Sequence, residues 1–408
     1  MGKLKSVLIG AAAVCCPFLI GTSTDIGAVL RAAAYCSAGV YEPLSGILPG
    51  GEPSSNNLPN SEPPSSYLQG SNLPDDEPPK STSDTQVSAL PQSSTVTGNA
   101  EVQPPDAPTV DEPPVKLGRV ITLNRPESTD DTDYTQFTAD SGDIWRYNFG
   151  KSKSTEYITL RSGAQVRNCT DVTASELLEA SKTPPDLGEI DSEQPTVLIY
   201  HTHTSESFLP YGEHFDADYP LRSGDPERNM TAVGDAICES LSRRGIASVH
   251  DCTVYDDPMF TGAYYRSADG MLKILEKYPS IKIILDIHRD GIINDDGSLT
   301  APVAEIDGKN AAQFMIISGC DDGDMDMPDY MENFKLACLL QNCSEEAYPD
   351  LARAVLFDYR NYNQGLSTGA LLIEVGSHGN SLDEAVYTGE LLGNIIANAI
   401  EKSDAASE

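Results

Sequence analysis

Between residues 195 and 399 the chain alternates short apolar runs with longer segments of helical period. Val197–Tyr200 (VLIY) is an unbroken apolar run, read as a strand buried on both faces. Residues 229–244 carry apolar positions at three- and four-residue spacing and stop at Gly245, the mark of a helix and its end. Residues 247–252 predict a second strand, 267–278 a helix, and 281–287 a third, strongly apolar strand. Residues 302–318, with DGKN at their middle, predict a β-hairpin. Residues 328–347 predict a helix and 369–375 (GALLIEV) another buried strand. The last helix opens with Ser381 and Glu384 in capping-box spacing and repeats Leu391, Leu392, Ile395 and Ile396 on one face. This alternation predicts an α/β fold: a mostly parallel central sheet with helices on both faces.

Upstream the pattern changes. Lys3 and Lys5 precede an apolar run at 7–20, and 26–40 continues in small and apolar residues, so 1–40 reads as a secretory signal or a membrane anchor. The expected location is the extracytoplasmic face of the cell membrane, or outside the cell if the segment is cleaved. Residues 41–115 are rich in Pro, Ser and acidic residues (SEPPSS, DDEPPK) and cannot bury enough apolar surface to offset the entropy of ordering. They read as a disordered linker. Residues 116–190 hold two strand-like stretches (GRVITLN, EYITLRSGAQV), a short helical stretch (ASELLEAS) and the only tryptophan, Trp145. They predict a small β-rich segment packed on the main domain, 191–408.

Charge excludes one class of partner. With 62 acidic and 27 basic residues the net charge is −35, which argues against nucleic acid or an anionic membrane surface as the main ligand. The nine cysteines show no paired zinc-knuckle spacing. Cys169, Cys238, Cys252, Cys320, Cys338 and Cys343 are either buried thiols or, in an exported protein, paired.

The polar run HTHTSES follows VLIY directly, where an α/β sheet places its chemistry. In an extended exit His201 and His203 point the same way, and Glu206 can fold back toward them. Two histidines and a glutamate are zinc-ligand chemistry, with a fourth position left for water. The strand at 281–287 runs into His288, and GALLIEV carries Glu374 at its own end. Parallel strands bring such ends to one edge, so residues about 85 positions apart converge. Glu374 then serves as general base beside a zinc-acidified water, and Arg289 as an oxyanion stabiliser. The alternative for Glu374 is a buried carboxylate holding Arg289 or Arg266. Asp286 reads as structural, Asp290 as either an acceptor orienting His288 or a loop cap, and His378 as a loop residue. His214 and His250 carry no functional reading.

HTHTSESFLP at 201–210, DIHRDG at 286–291, YNQG at 362–365 and LLIEVGSHGN at 371–380 together resemble the stage II sporulation protein P family of cell-wall hydrolases, over about 196–399. The resemblance implies a zinc-dependent N-acetylmuramoyl-L-alanine amidase of peptidoglycan with an added crosslink endopeptidase activity. It also implies a role in engulfment during sporulation, beside a lytic transglycosylase and a membrane-protein partner. In the wider zinc amidase superfamily a His closes the first strand, a Glu opens the next helix, a second His closes a later strand, and a late-strand Glu is catalytic. That pattern favours His203 over His201, leaves Glu206 or Glu227 as the carboxylate ligand, and implies a centre of His203, Glu206 and His288 with Glu374 as base. Two other functions share these motifs: a zinc carbohydrate deacetylase, and a non-catalytic wall-binding scaffold.

Overall fold

The computed structural model describes residues 116–407; the anchor and linker expected at 1–40 and 41–115 lie outside them. In chain order the elements are β1 (Val120–Leu123), β2 (Gly142–Tyr147), β3 (Tyr157–Thr159), β4 (Gln165–Asn168) and α1 (Ala174–Ala180). There follow β5 (Val197–Tyr200), β6 (His214–Phe215), α2 (Met230–Arg243), β7 (Ser248–Asp251), α3 (Ala263–Lys277) and β8 (Ile283–Asp290). The remainder is β9 (Leu299–Ile306), β10 (Lys309–Ala312), β11 (Phe314–Gly319), α4 (Tyr330–Ala347), β12 (Val355–Asp358), β13 (Ala370–Ser377) and α5 (Leu382–Ser407).

Nine strands form one sheet in the order β1-β7-β5-β8-β13-β11-β12-β4-β3. Only the β13/β11 and β4/β3 pairs are antiparallel, so the sheet is mostly parallel, as the alternation of elements predicts. A second sheet runs β10-β9-β2-β6. The segment 116–190 supplies strands to both edges of the large sheet, through β1 and through β4 and β3, and gives β2 to the smaller one.

The unbroken apolar runs are explained by burial on two faces. Along β5, Val197 and Ile199 join a core with Ile237 of α2, Phe334 of α4 and Leu391, Leu392, Ile395 and Ile396 of α5. Leu198 and Tyr200 point the other way and pack with Val249 and with Met271 and Ile274 of α3. Each fully buried Leu or Ile contributes about 1.5–3 kcal/mol, so this two-sided burial fixes which way every strand-end side chain faces.

Local signals are met where they are strongest. Gly245 follows α2 with φ +76°, the left-handed conformation that ends a helix. The α5 capping box forms: Ser381 N–H donates to Glu384 Oε2 (3.0 Å) and Glu384 N–H to Ser381 Oγ (3.4 Å). The hairpin closes at Asp307 and Gly308, both at positive φ, but its second arm ends at Ala312 rather than near 318. FMIISG is buried almost throughout and crosses into the large sheet as β11. The six described cysteines are all free, and five of them are buried. Among the described residues no helix is long and apolar enough to cross a membrane.

Candidate metal centre

The site opens at the C-terminal ends of β5, β8 and β13. On β8, Ile283, Leu285 and Ile287 face the α2/α5 core, so the alternating positions Asp286 and His288 face the α3 side. On β13, Leu371, Ile373 and Val375 face that same core and Glu374 the opposite side. Glu374 and His288 are register partners of parallel neighbours, so their side chains lie side by side.

The exit from β5 is a turn, not an extended strand, and this corrects the expectation that His201 and His203 point the same way. Asp286 draws the turn in, accepting from Thr202 N–H (2.8 Å) and Thr202 Oγ1 (2.7 Å). His201 is fully buried, with Nδ1 2.9 Å from Ile287 O and Nε2 3.0 Å from His250 Nε2. His250 continues to Asp235 Oδ1 at 3.0 Å. His203 instead meets Glu206 and His288. Glu227 is exposed and outside this group, so Glu206 is the carboxylate that converges.

Ligand atoms of His203, Glu206 and His288 all lie within 4.8 Å of one another. His203 Nδ1 is 3.8 Å from Glu206 Oε1, and His288 Nδ1 is 3.7 Å from Glu206 Oε2. Tetrahedral zinc at its usual bond lengths needs donor atoms about 3.3 Å apart, so shifts of a few tenths of an ångström suffice. Asp286 Oδ1 lies 2.8 Å from His288 Nε2, an ion-pair contact outside hydrogen-bond geometry, and Nδ1 is turned toward Glu206. A carboxylate behind the ligating imidazole is the usual support of a metal histidine. The residues present fit a zinc ion.

The electrostatics divide the two histidines. Burial, then the neighbouring His288, lowers His203 to about 2, so it is neutral and ready to ligate. Burial works to lower His288, but Asp286, Glu206 and Glu374 outweigh it and raise it to about 9. Burial also works to raise Asp286, yet His288 and Thr202 hold it below the usual carboxylate range. Glu374 is pushed up to about 8 by burial and by Asp290 and Glu206, against the pull of His288. Its Oε2 is buried with no hydrogen-bond partner among the described residues. Neither Arg289 nor Arg266 holds it.

Arg289 does not present its guanidinium to the cluster, which corrects its expected role as oxyanion stabiliser. Nε donates to Ser207 O (2.5 Å), NH2 to Leu221 O (2.9 Å) and NH1 to Asp290 O (3.3 Å), while its backbone N–H donates to Glu206 Oε2 (3.2 Å). It braces the loop that carries Glu206. Asp290 pairs with Arg353 (2.9 Å), so orienting His288 falls to Asp286. Arg266 binds the carbonyls of Tyr255, Met259 and Thr261 ahead of α3. His378 sits buried in the turn after β13, lowered to about 4 by burial and by Arg289. His214 pairs with Asp143 at the surface.

Sequence reasoning missed the wall of the site. Phe260 stacks on His203 (4.1 Å between centroids, 23°), and Tyr264 lies parallel to His288 (6.3 Å, 7°). Arg222 sits over Phe260 and pairs with Asp256. The dense aromatics of residues 259–265 were the available signal. A second group, Asp235, His250 and Cys252, also has ligand atoms within 4.8 Å of one another. Its Asp235 oxygens already meet His250 and Arg125, and burial raises the Cys252 thiol to about 12, so it is a hydrogen-bonded strut.

Comparison with known proteins adds the following. An N-acetylmuramoyl-L-alanine amidase from Clostridium difficile 630 is similar at 13% identity and a TM-score of 0.32, covering 53% of this chain and 99% of that one. N-acetylmuramoyl-L-alanine amidase AmiC2 of Nostoc punctiforme is similar at 13% identity and a TM-score of 0.31, covering 52% of this chain and 98% of that one. A curated relative, Stage II sporulation protein P of Bacillus subtilis (strain 168), is 30% identical over 244 residues, 56% of this chain. The match spans 57% of that relative's length. The family described as Stage II sporulation protein P (SpoIIP) matches residues 120–397, a span that holds His203, Glu206, His288 and Glu374 alike, and the chain belongs to that family.

Proposed function

We propose that this chain is a zinc-dependent N-acetylmuramoyl-L-alanine amidase, cutting the amide between the glycan's lactyl group and the L-alanine of the stem peptide in peptidoglycan. The observation that carries the reading is the convergence of His203, Glu206 and His288 beside the unpartnered, buried carboxyl of Glu374. His203, Glu206 and His288 would hold the ion. When bound, zinc supplies Lewis acidity that acidifies water and polarises an amide carbonyl. Glu374, whose Oε2 is buried without a partner, can take a proton from water and pass it to a departing amine. Asp286 keeps His288 turned so that Nδ1 faces the ion, and Arg289 holds Glu206 through its backbone N–H. Phe260 and Tyr264 line one side of the centre.

Family membership supports the biological setting of this reading: engulfment in sporulation, with a lytic transglycosylase and a membrane protein as partners and crosslink cleavage as a second activity. We further take residues 1–40 as a signal or anchor on the extracytoplasmic face of the membrane and 41–115 as the tether to the catalytic part, 191–408.

The test uses the purified chain with measured zinc content, incubated with peptidoglycan. The reading expects about one zinc per chain and new L-alanine amino termini, and expects Glu374→Gln to keep zinc and lose hydrolysis. Full hydrolysis by that variant removes the role given to Glu374. Acetate release with stem peptides still attached indicates a deacetylase, and wall binding without zinc or cleavage indicates a scaffold.

A further inference from the structure

We propose that Arg222 is the substrate-recognition residue of this centre, its guanidinium receiving a carboxylate on the peptide arm of the substrate; the inference rests on the amidase reading for the identity of that peptide. The backbone sets Arg222 against the cluster. Ser207 N–H donates to Leu221 O (3.1 Å) and Ser223 N–H to Ser205 O (2.8 Å), so residues 205–207 and 221–223 form a short antiparallel pair with Glu206 opposite Arg222. Directly opposed residues of such a pair share a face. Arg222 therefore stands beside the ligand Glu206 although sixteen positions of chain separate them.

Its guanidinium is held in place before any ligand arrives. NH1 donates to Asp256 Oδ2 (2.9 Å) and Ser205 Oγ (3.0 Å), and the group lies 4.8 Å above the Phe260 ring, which itself stacks on His203. A fixed planar fork loses little freedom when it binds a carboxylate, which favours Arg over Lys at such a place. The other arm makes no hydrogen bond, only a long ion pair. NH2 is 4.0 Å from Glu206 Oε1, beyond hydrogen-bond reach, and the side chain is 46% exposed. The other arginines around the centre are committed: Arg289 and Arg266 to backbone carbonyls, Arg353 to Asp290.

The surroundings make this cation matter. The chain carries a net charge of −35 and Glu206 lies beside Arg222, so an anionic peptide is held best where a directed donor meets it. In a stem peptide whose L-alanine is followed by a γ-linked glutamate, the free α-carboxylate of that glutamate lies one residue from the scissile amide. That is the group Arg222 is set to receive.

The experiment uses the zinc-loaded full chain, wild type and Arg222→Gln, with two synthetic muramyl peptides that differ only in a carboxylate or a carboxamide on the second residue. Binding is read by calorimetry and turnover separately as KM and kcat. Wild type should bind the carboxylate peptide about 10- to 100-fold more tightly, the range of one charge-assisted arginine contact. Arg222→Gln should lose that preference through the carboxylate peptide alone, with zinc content unchanged, and Arg222→Lys should restore only part of it. Equal losses on both peptides, or loss of zinc, would show that Arg222 acts on Glu206 instead and would overturn the proposal. So would a wild type that does not discriminate. Discrimination in binding without any turnover would sink the amidase reading and leave Arg222 as assigned.

Discussion

Replacing Asp286 by Asn tests how the centre is built. His288 stands near 9 because Asp286, Glu206 and Glu374 outweigh the effect of burial, and Asp286 is the largest of the three. A protonated imidazole cannot ligate, so a cation must displace the proton from Nδ1, and wild-type affinity should climb with pH until about 9. At about pH 7 the competition amounts to about two pH units, on the order of 100-fold in affinity. In Asp286→Asn the imidazole falls toward its ordinary value of about 6.5, and competition ends near neutrality. Losing the carboxylate behind a metal histidine works the other way, by about 10- to 100-fold. Near pH 7 the two effects nearly cancel. At about pH 8.5 most of the competition has gone and the loss dominates, so the ratio of wild-type to variant affinity should rise about 20-fold over that interval. The assay is zinc competition against a chromophoric chelator at several pH values, with a melting curve to confirm that the variant folds. A ratio that stays constant across this range would refute the protonation argument.

Three further outcomes follow from the geometry. Glu374→Gln should keep its zinc while hydrolysis falls by about 10²–10⁴, the usual range for a lost general base; unimpaired turnover would place the proton transfer elsewhere. His203→Ala should lose the ion, whereas His201→Ala should keep it and lose about 2–4 kcal/mol of stability in urea titration, because a buried ring goes and His250 Nε2 is orphaned. The opposite pattern would move the ligand to His201. Gly234→Ala should destabilise by about 1–3 kcal/mol despite the higher helix propensity of alanine, since a Cβ there would lie 2.4 Å from His250 Nε2 and 2.7 Å from His201 Nε2. A variant as stable as wild type in the same titration would show that those rings can move aside.

Much of this protein is written locally. Burial on two faces requires unbroken apolar runs, so VLIY and the strands ending in His288 and Glu374 announce a parallel sheet and the edge where its chemistry collects. The αL glycine at 245 and the Ser381–Glu384 box mark helix ends because their hydrogen bonds close within a few residues. Partners distant in the chain decided the rest. Asp286, 84 residues on, turns Thr202 inward and so separates His201 from His203. Ser207 and Leu221 offer carbonyls that take up the Arg289 guanidinium, and the short pairing of 205–207 with 221–223 brings Arg222 to the site instead. A side chain's periodicity says which face it occupies, and that much the sequence determined. What the side chain does there depends on which donors and acceptors packing brings within 3 Å of it, and only the tertiary structure decides that.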